Sequence, residues 1–498
     1  MENMGKRRIL GIDIGTTATK VIIIDESGSI LGDTQSTSTL LSKQATWAEE
    51  DPNEWWDNVC RCIPKILATT NTKAGEICSI GVSGMVPTLI LLDGEGKVLR
   101  NSIQQNDARS SAEIEEFKRR LDEQDIFGRT GSMITQQSIG PKLLWLKKHE
   151  SEVFAQAKMV LGSYDYINYK LTGKLFVEKN WALESGLYDL TTKSWIQEVA
   201  DISGISMHML PNVKDSSEVV GSVSEQAAKE TGLQQGTMVI AGSADHVSSA
   251  FSAGIREPGD LLVKLGGAGD ILLSLDELKL NPKLFMDYHL KPGQYLLNGC
   301  MASSGSLIKW FQQEFSEHLD YRELDELAAK VSAGSDGLWV LPYFIGEKTP
   351  IFDPLARGMF WGVTLQHTRA HFFKAILEGI SFGFLHHVKV IQEMGQPISR
   401  VRVTNGGAKS FLWKQVTSDV LGLPLEIVEN HPGSSMGVAF MAGLRAGVFS
   451  NWDDIEQCIA IKTVIQPNME NHRIYEQMFS VYTELYEVNK ALFHKVNG

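Results

Sequence analysis

Short apolar runs bounded by turn residues alternate with longer amphipathic stretches along the chain. Near the start, Ile9-Leu10-Gly11-Ile12 passes through Asp13-Ile14-Gly15-Thr16-Thr17 into Val21-Ile22-Ile23-Ile24 and the turn Asp25-Glu26-Ser27-Gly28. β-Branched runs split by a Gly/Thr turn predict a hairpin over residues 8–31. The same device recurs where Leu261-Leu262-Val263-Lys264-Leu265 meets Gly266-Gly267-Ala268-Gly269 and continues as Asp270-Ile271-Leu272-Leu273-Ser274. Between the hairpins, strands are predicted at 80–83 and 89–92 and helices at 111–123 and 142–149. Further on, helical patterns cover 306–315 and 368–391, a loop spans 342–357, and Val401-Arg402-Val403-Thr404 reads as a strand ending in Asn405-Gly406-Gly407-Ala408. Tyr475, Phe479, Tyr482 and Tyr486 fall at i, i+4, i+7 and i+11, so a closing helix should turn one aromatic face to the core.

Alternating strands and helices predict an α/β protein. Its 498 residues exceed one ordinary core and suit two domains. A repeated hairpin more than two hundred residues apart is what two similar domains facing a shared cleft would produce, although Gly turns between strands are common enough to coincide. Ser248–Gly259, with Gly254, Pro258 and Gly259, is the best linker, which places the boundary near residue 255.

A net charge of −13, with no long Lys/Arg run, argues against nucleic-acid binding. No apolar run approaches the roughly 18 residues of a membrane span, so no membrane association is expected. The start Lys6-Arg7-Arg8 followed by apolar residues imitates a signal peptide, but Asp13 interrupts the run, and the cytoplasm is the expected location. Cys60, Cys62, Cys78, Cys300 and Cys458 are odd in number and scattered, and read as reduced structural thiols.

Two segments carry candidate chemistry. Asp13 through Thr17 sets a carboxylate at a strand end beside backbone N–H groups and hydroxyls, the combination that a phosphate chain with a divalent cation needs; a plain polar hairpin turn is the other reading. Gly242-Ser243-Ala244-Asp245-His246 follows the apolar run 238–241, so Asp245 should project from a strand end, where it could deprotonate an alcohol or simply cap the next helix. There is no G-x-x-x-x-G-K-[ST] loop and no G-x-S-x-G elbow. His367 and His371 are four apart, but without the H-E-x-x-H pattern they read as packed or surface side chains rather than zinc ligands.

Gly358-Met359-Phe360-Trp361-Gly362-Val363, followed by His371-Phe372 and Ala375-Ile376-Leu377-Glu378, resembles the C-terminal signature of the FGGY carbohydrate kinases. Lys142 to His149 resembles most of their N-terminal signature, with Ile139 where Pro, Ser or Thr is usual, and the likeness runs over about residues 9–450. The resemblance implies two actin-like, ribonuclease H-like domains flanking a central cleft, residues 1–254 and 255–498. It also implies ATP-dependent phosphorylation of a sugar with Mg²⁺, with a homodimer as a family-level expectation only. By the same likeness, Asp13 would position the magnesium, Thr16 and Thr17 would line the phosphates, and Asp245 would be the general base. Gly266 and Gly267 would form the second phosphate loop, with Gly305, Lys309, Gly407 and Ala408 around the nucleotide.

Within the family the xylulokinases are most similar, through Asp107 and Arg109 of Asn106-Asp107-Ala108-Arg109, and D-xylulose is the leading acceptor. Met85, Val86, Asp107 and Asp245 are then the expected sugar contacts. Two departures stand out: Gly267 replaces the usual threonine, and Met85-Val86-Pro87-Thr88 replaces Gln-Met-His-Gly, so a side-chain hydrogen bond to the sugar is lost. Ribulose, erythritol, gluconate, glycerol and autoinducer-like acceptors remain alternatives. A non-kinase nucleotide-binding protein of the actin type and an unrelated α/β hydrolase are the other readings.

Overall fold

A computed structural model describes residues 6–497 except 45, 405 and 430, and describes 408 and 497 without their side chains. By its contacts the chain forms two units, Met1–Gly254 with Met286–Tyr295 and Pro432–Cys458, and Ile255–Phe285 with Leu296–His431 and Ile459–Gly498. The chain leaves the first unit at Gly254 but returns to it twice. A single cut near residue 255 therefore misses two segments, and neither return has a local mark in the sequence.

In the first unit, β1 (Arg8–Ile14) and β2 (Ala18–Ile24) form the expected hairpin, continued by β3 (Ile30–Thr37). With β4 (Ile77–Gly84), β5 (Val219–Ser222) and β6 (Met238–Ile240) the sheet order is β5-β6-β4-β1-β2-β3, and the two-residue β7 (Ser243–Ala244) also pairs with β4. β1, β6 and β7 all run parallel to β4. Ile9, Leu10, Ile12 and Ile14 have no exposed surface, because this strand is covered on both faces. Each such side chain contributes about 1.5–3 kcal/mol by leaving water.

One cover is the helix Ser434–Arg445, from the second returning segment, which packs on β1 and β4. Its backbone comes so close that a Cβ added at Gly11 would lie 2.1 Å from Ser435 O, and one at Gly81 would lie 2.3 Å from Val438 O. Only glycine admits that approach.

The second unit repeats the plan. β8 (Asp260–Leu265) and β9 (Gly269–Leu275) form the second expected hairpin, and β8 runs parallel to β11 (Arg400–Thr404) on its other side. With β10 (Tyr295–Met301), β12 (Leu425–Val428) and β13 (Ile461–Ile465), the order is β10-β9-β8-β11-β12-β13. Helix Arg369–Glu393 carries Glu378, buried and accepting hydrogen bonds from Gly334 N (2.9 Å), Ser335 Oγ (2.7 Å) and Tyr475 Oη (2.9 Å). Burial pushes its carboxyl up to about 7. Glu378, the last residue of the signature segment, is therefore a structural anchor for the closing helix Met469–Asn497. On that helix Tyr475, Tyr482 and Tyr486 are buried, as the aromatic spacing predicts.

Three local expectations change. The helix expected over 111–123 breaks at Leu121, because Asp122 caps a second helix, Glu123–Thr130, by accepting from Gln124 N and Asp125 N. The expected linker is helical up to Ser252, since Asp245–Ser252 forms one helix. His367 and His371 both hydrogen-bond Asp336, through its carbonyl (3.2 Å) and carboxylate (3.1 Å). Among the described residues no helix is long and apolar enough to cross a membrane.

Filling the gap at Gly81 should lift the helix off the sheet. Gly81→Val is expected to cost about 3 kcal/mol, the upper range for overpacking, and to lower the melting temperature of the first unit by roughly 5–10 °C. Calorimetry checks this, and an unchanged Tm would show that the approach is not tight.

Candidate active site

The carboxyl ends of β1, β4 and β7 lie side by side, so residues just beyond them gather at one sheet edge, where open α/β sheets place their ligands. Asp13 and Ser243 are both ladder partners of Ser83. Ser83 Oγ donates to Asp13 Oδ1 at 2.9 Å, and the Ser434 hydroxyl, at the start of helix Ser434–Arg445, is near enough to the carboxylate to lower its proton affinity. Burial and the nearby charge of Asp245 nonetheless push Asp13 up to about 6, against the lowering by these hydroxyls and Lys20. Gly15 N closes the hairpin turn on Ala18 O at 3.1 Å, leaving Thr16 partly exposed and Thr17 exposed.

Asp245 reaches the same edge through a kink. Gly242 has φ +90°, and a Cβ there would lie 2.0 Å from Val82 O. The turn lets the chain re-pair with β4 as β7 before the helix Asp245–Ser252 begins. The helix cap is Ala244, and Asp245 Oδ1 accepts from the amide of His246 at 2.6 Å. The Asp245 side chain keeps 38% of its surface exposed, more than any other member of this cluster.

His246 lies among carboxylates. Its Nε2 is 3.0 Å from Asp287 Oδ2 and 3.7 Å from Glu184 Oε1, and its Nδ1 is 3.4 Å from Asp245 Oδ1. Burial lowers the imidazole's proton affinity, but the charges of Asp287 and Glu184 outweigh it and hold the ring well above the usual histidine range. Burial and Asp287 in turn push Glu184 up.

Met85 and Val86 are almost fully buried at the end of β4. Met85 N donates to Ile14 O at 3.0 Å, Ser163 Oγ donates to Met85 O at 2.7 Å, and Thr16 Oγ1 is 3.8 Å from Met85 Sδ. These contacts tie the segment to the Asp13 hairpin. The expected sugar contact from Asp107 is not met. Its side chain has no exposed surface, Oδ2 accepts from Ala48 N (2.6 Å) and Arg109 Nη2 (2.7 Å), and Oδ1 accepts from Arg109 N (3.0 Å) and Nε (2.9 Å). Arg109 also pairs with Glu49 and lies 3.9 Å over the Trp47 ring. Asp107 thus locks a buried guanidinium, a use that its spacing from Arg109 alone does not distinguish from ligand binding.

In the second unit, the ends of the parallel strands β8 and β11 likewise meet. Gly266 and Gly267 follow β8; Gly406, Gly407 and Ala408 follow β11 in a 3₁₀ turn, while Asn405 lies outside the described residues. The first amides of helix Gly305–Phe315 close on this loop: Gly305 N donates to Gly266 O (2.8 Å), and Ser304 N and Ser306 N donate to Gly267 O (2.9 and 3.1 Å). Lys309, one turn along this helix, is exposed. Around Gly267 there is open space, with no atom within 4 Å of an added Cβ. Gly266, Gly267, Gly305 and Gly407 thus gather at the ends of β8 and β11.

Ser83, Ser434, Glu184 and Asp287 escaped sequence reasoning. Only Ser434 had a local hint, since Pro432-Gly433-Ser434-Ser435 is a turn entering a helix of small residues.

The chain matches the model of the FGGY family of carbohydrate kinases, N-terminal domain, over residues 8–252 and that of the C-terminal domain over residues 262–446. It is 31% identical over 495 residues to a xylulose kinase of Staphylococcus epidermidis, covering 98% of each chain. The structure of a xylulose kinase from Rhodospirillum rubrum superposes with a TM-score of 0.93 at 38% identity, over 98% of this chain and 100% of that one. A gluconate kinase from Lactobacillus acidophilus superposes equally well, at 0.93 and 28% identity, over 99% and 100%. The chain belongs to the FGGY family of carbohydrate kinases and is an ATP-dependent sugar kinase.

Proposed function

We propose that this kinase phosphorylates a ketopentose, D-xylulose first among candidates, with Asp245 as the general base. The observation that carries this is the position of Asp245: a half-exposed carboxylate at a strand end, beside the hairpin that carries Asp13, Thr16 and Thr17. The acceptor's O–H bond breaks and its proton passes to Asp245. The freed oxygen bonds to the γ-phosphorus as the bond to the bridging oxygen breaks, and ADP leaves with that electron pair. General-base help of this kind is worth roughly 10²- to 10⁴-fold.

Asp13 fits a role in positioning Mg²⁺. Its oxygen chemistry suits a hard cation, and its raised proton affinity marks negative charge that burial and Asp245 leave poorly compensated. When bound, the ion neutralises phosphate charge. Thr16 and Thr17 supply hydroxyls along the phosphates. Gly266, Gly267, Gly305, Lys309, Gly407 and Ala408 serve the nucleotide.

Met85 and Val86 shape the acceptor side with apolar side chains, so polar recognition of the sugar at this segment falls to the backbone and to Asp245. The matched xylulose kinases favour xylulose as acceptor, while the gluconate kinase, equal in TM-score but lower in sequence identity, makes gluconate the sharpest competitor. Five unpaired thiols, together with ATP as donor, suit the cytoplasm.

ADP release measured with D-xylulose, L-xylulose, D-ribulose, erythritol, glycerol and gluconate should show its highest kcat/KM with D-xylulose. A preference for gluconate would overturn the acceptor. Asp245→Asn should bind ATP and sugar but lose at least 100-fold in kcat; turnover at a tenth of the wild-type rate would remove Asp245 from its role. Gly267→Thr restores a hydroxyl into open space and should tighten ATP binding about 2- to 10-fold, the worth of one net hydrogen bond. Calorimetric titration of ATP reads this directly, and weaker binding would mean that the loop does not face the phosphates.

A further inference from the structure

We propose that His246 is a positioning residue for phosphoryl transfer, braced by Glu184 and Asp287 at Nε2 and turning Nδ1 toward Asp245 Oδ1, so that Oδ2 takes the acceptor's proton. This rests on Asp245 being the base. Neighbouring residues seldom orient one another, but the first turn of the helix Asp245–Ser252 brings both the amide and the ring of His246 onto the same oxygen, at 2.6 and 3.4 Å. With the amide of His246 hydrogen-bonded to Oδ1 and the ring nitrogen within ion-pair distance of the same atom, Oδ2 is the oxygen left for the acceptor. The proton of the acceptor's hydroxyl then moves to Oδ2 as that oxygen bonds to phosphorus and ADP departs.

The brace comes from two elements far apart in sequence. Glu184 ends the short helix Lys179–Glu184, and Asp287 stands in the strand Phe285–Tyr288 on the first returning segment. Asp287 is fully buried, and Glu184 Oε1 finds no hydrogen-bond donor among the described residues. Two carboxylates gathered on one imidazole exceed what charge balance needs, and burying the surplus is costly. An arrangement kept at that cost belongs at a functional site more often than in a scaffold. The charged groups facing the ring are Asp245 on its own helix, Glu184 and Asp287, with Glu178 behind Glu184 and Asp13 behind Asp245. The surplus negative charge raises the ring's proton affinity, which favours the form in which both nitrogens donate.

Three variants and a control separate positioning from mere support. His246→Asn keeps a donor where Nδ1 stands, and His246→Gln keeps one only where Nε2 stands. The Gln variant should lose about 10- to 100-fold in kcat, the cost of a misplaced reacting group, with KM for ATP unchanged, while the Asn variant stays within about threefold of wild type. Asp287→Asn keeps the shape but removes a counter-charge, so the ring loses its proton at lower pH and the alkaline limb of the kcat profile moves down. Thermal melts confirm that each variant is folded. Equal losses in Asn and Gln variants, or an unmoved alkaline limb, would make the cluster structural and overturn the proposal. If Asp245→Asn is inert while His246→Gln turns over normally, only the positioning role fails. If Asp245→Asn itself turns over, the base assignment fails first.

Discussion

The contact on which the site depends is the close approach of the helix Ser434–Arg445 to the backbones of β1 and β4. Glycines at 11 and 81 let the helix sit against the strands with no side chain between them. That packing brings Ser434 to the end of β1, where its hydroxyl meets Asp13 from one side as Ser83 meets it from the other. A helix about four hundred residues along the chain thereby becomes part of a hairpin turn near the start. The same helix packs on Asp245–Ser252, so the position of the candidate base is set by the same contact.

Electrostatics gives this edge its second character. Asp13, Asp245, Glu184 and Asp287 concentrate negative charge in a region that burial keeps poorly solvated, with His246 the principal positive group facing it. Such crowding, together with burial, raises the proton affinity of Asp13 and Glu184, and the same negative charge raises that of the imidazole. It is a cost for the isolated fold. The opposite solution appears at Arg109, where Asp107 and Glu49 neutralise a buried guanidinium and two tryptophans cover it. In that cluster both oxygens of Asp107 are taken up by Arg109 and the Ala48 amide.

The family signature illustrates a different separation. Glu378, its last residue, is satisfied by Gly334, Ser335 and Tyr475 inside the second unit. A motif can thus identify a family with high specificity and yet mark a structural joint.

Both hairpins, the aromatic closing helix, Asp13 and Asp245 were legible in the sequence, because each depends on the local period of apolar residues and on what a turn permits. The break at Leu121 was missed because Asp122 caps a second helix by accepting from the neighbouring amides, and the helical start of the supposed linker was missed because the helix Asp245–Ser252 runs past Ser248 before the glycines begin. By itself, then, the sequence determined the order of most strands and helices, the two glycine turns and the family. Only the tertiary structure decided that Asp107 is sealed, that Ser434 meets Asp13, and that His246 stands between Glu184 and Asp287. Burial, ion pairing and close approach are relations between distant segments, and local spacing carries no record of them.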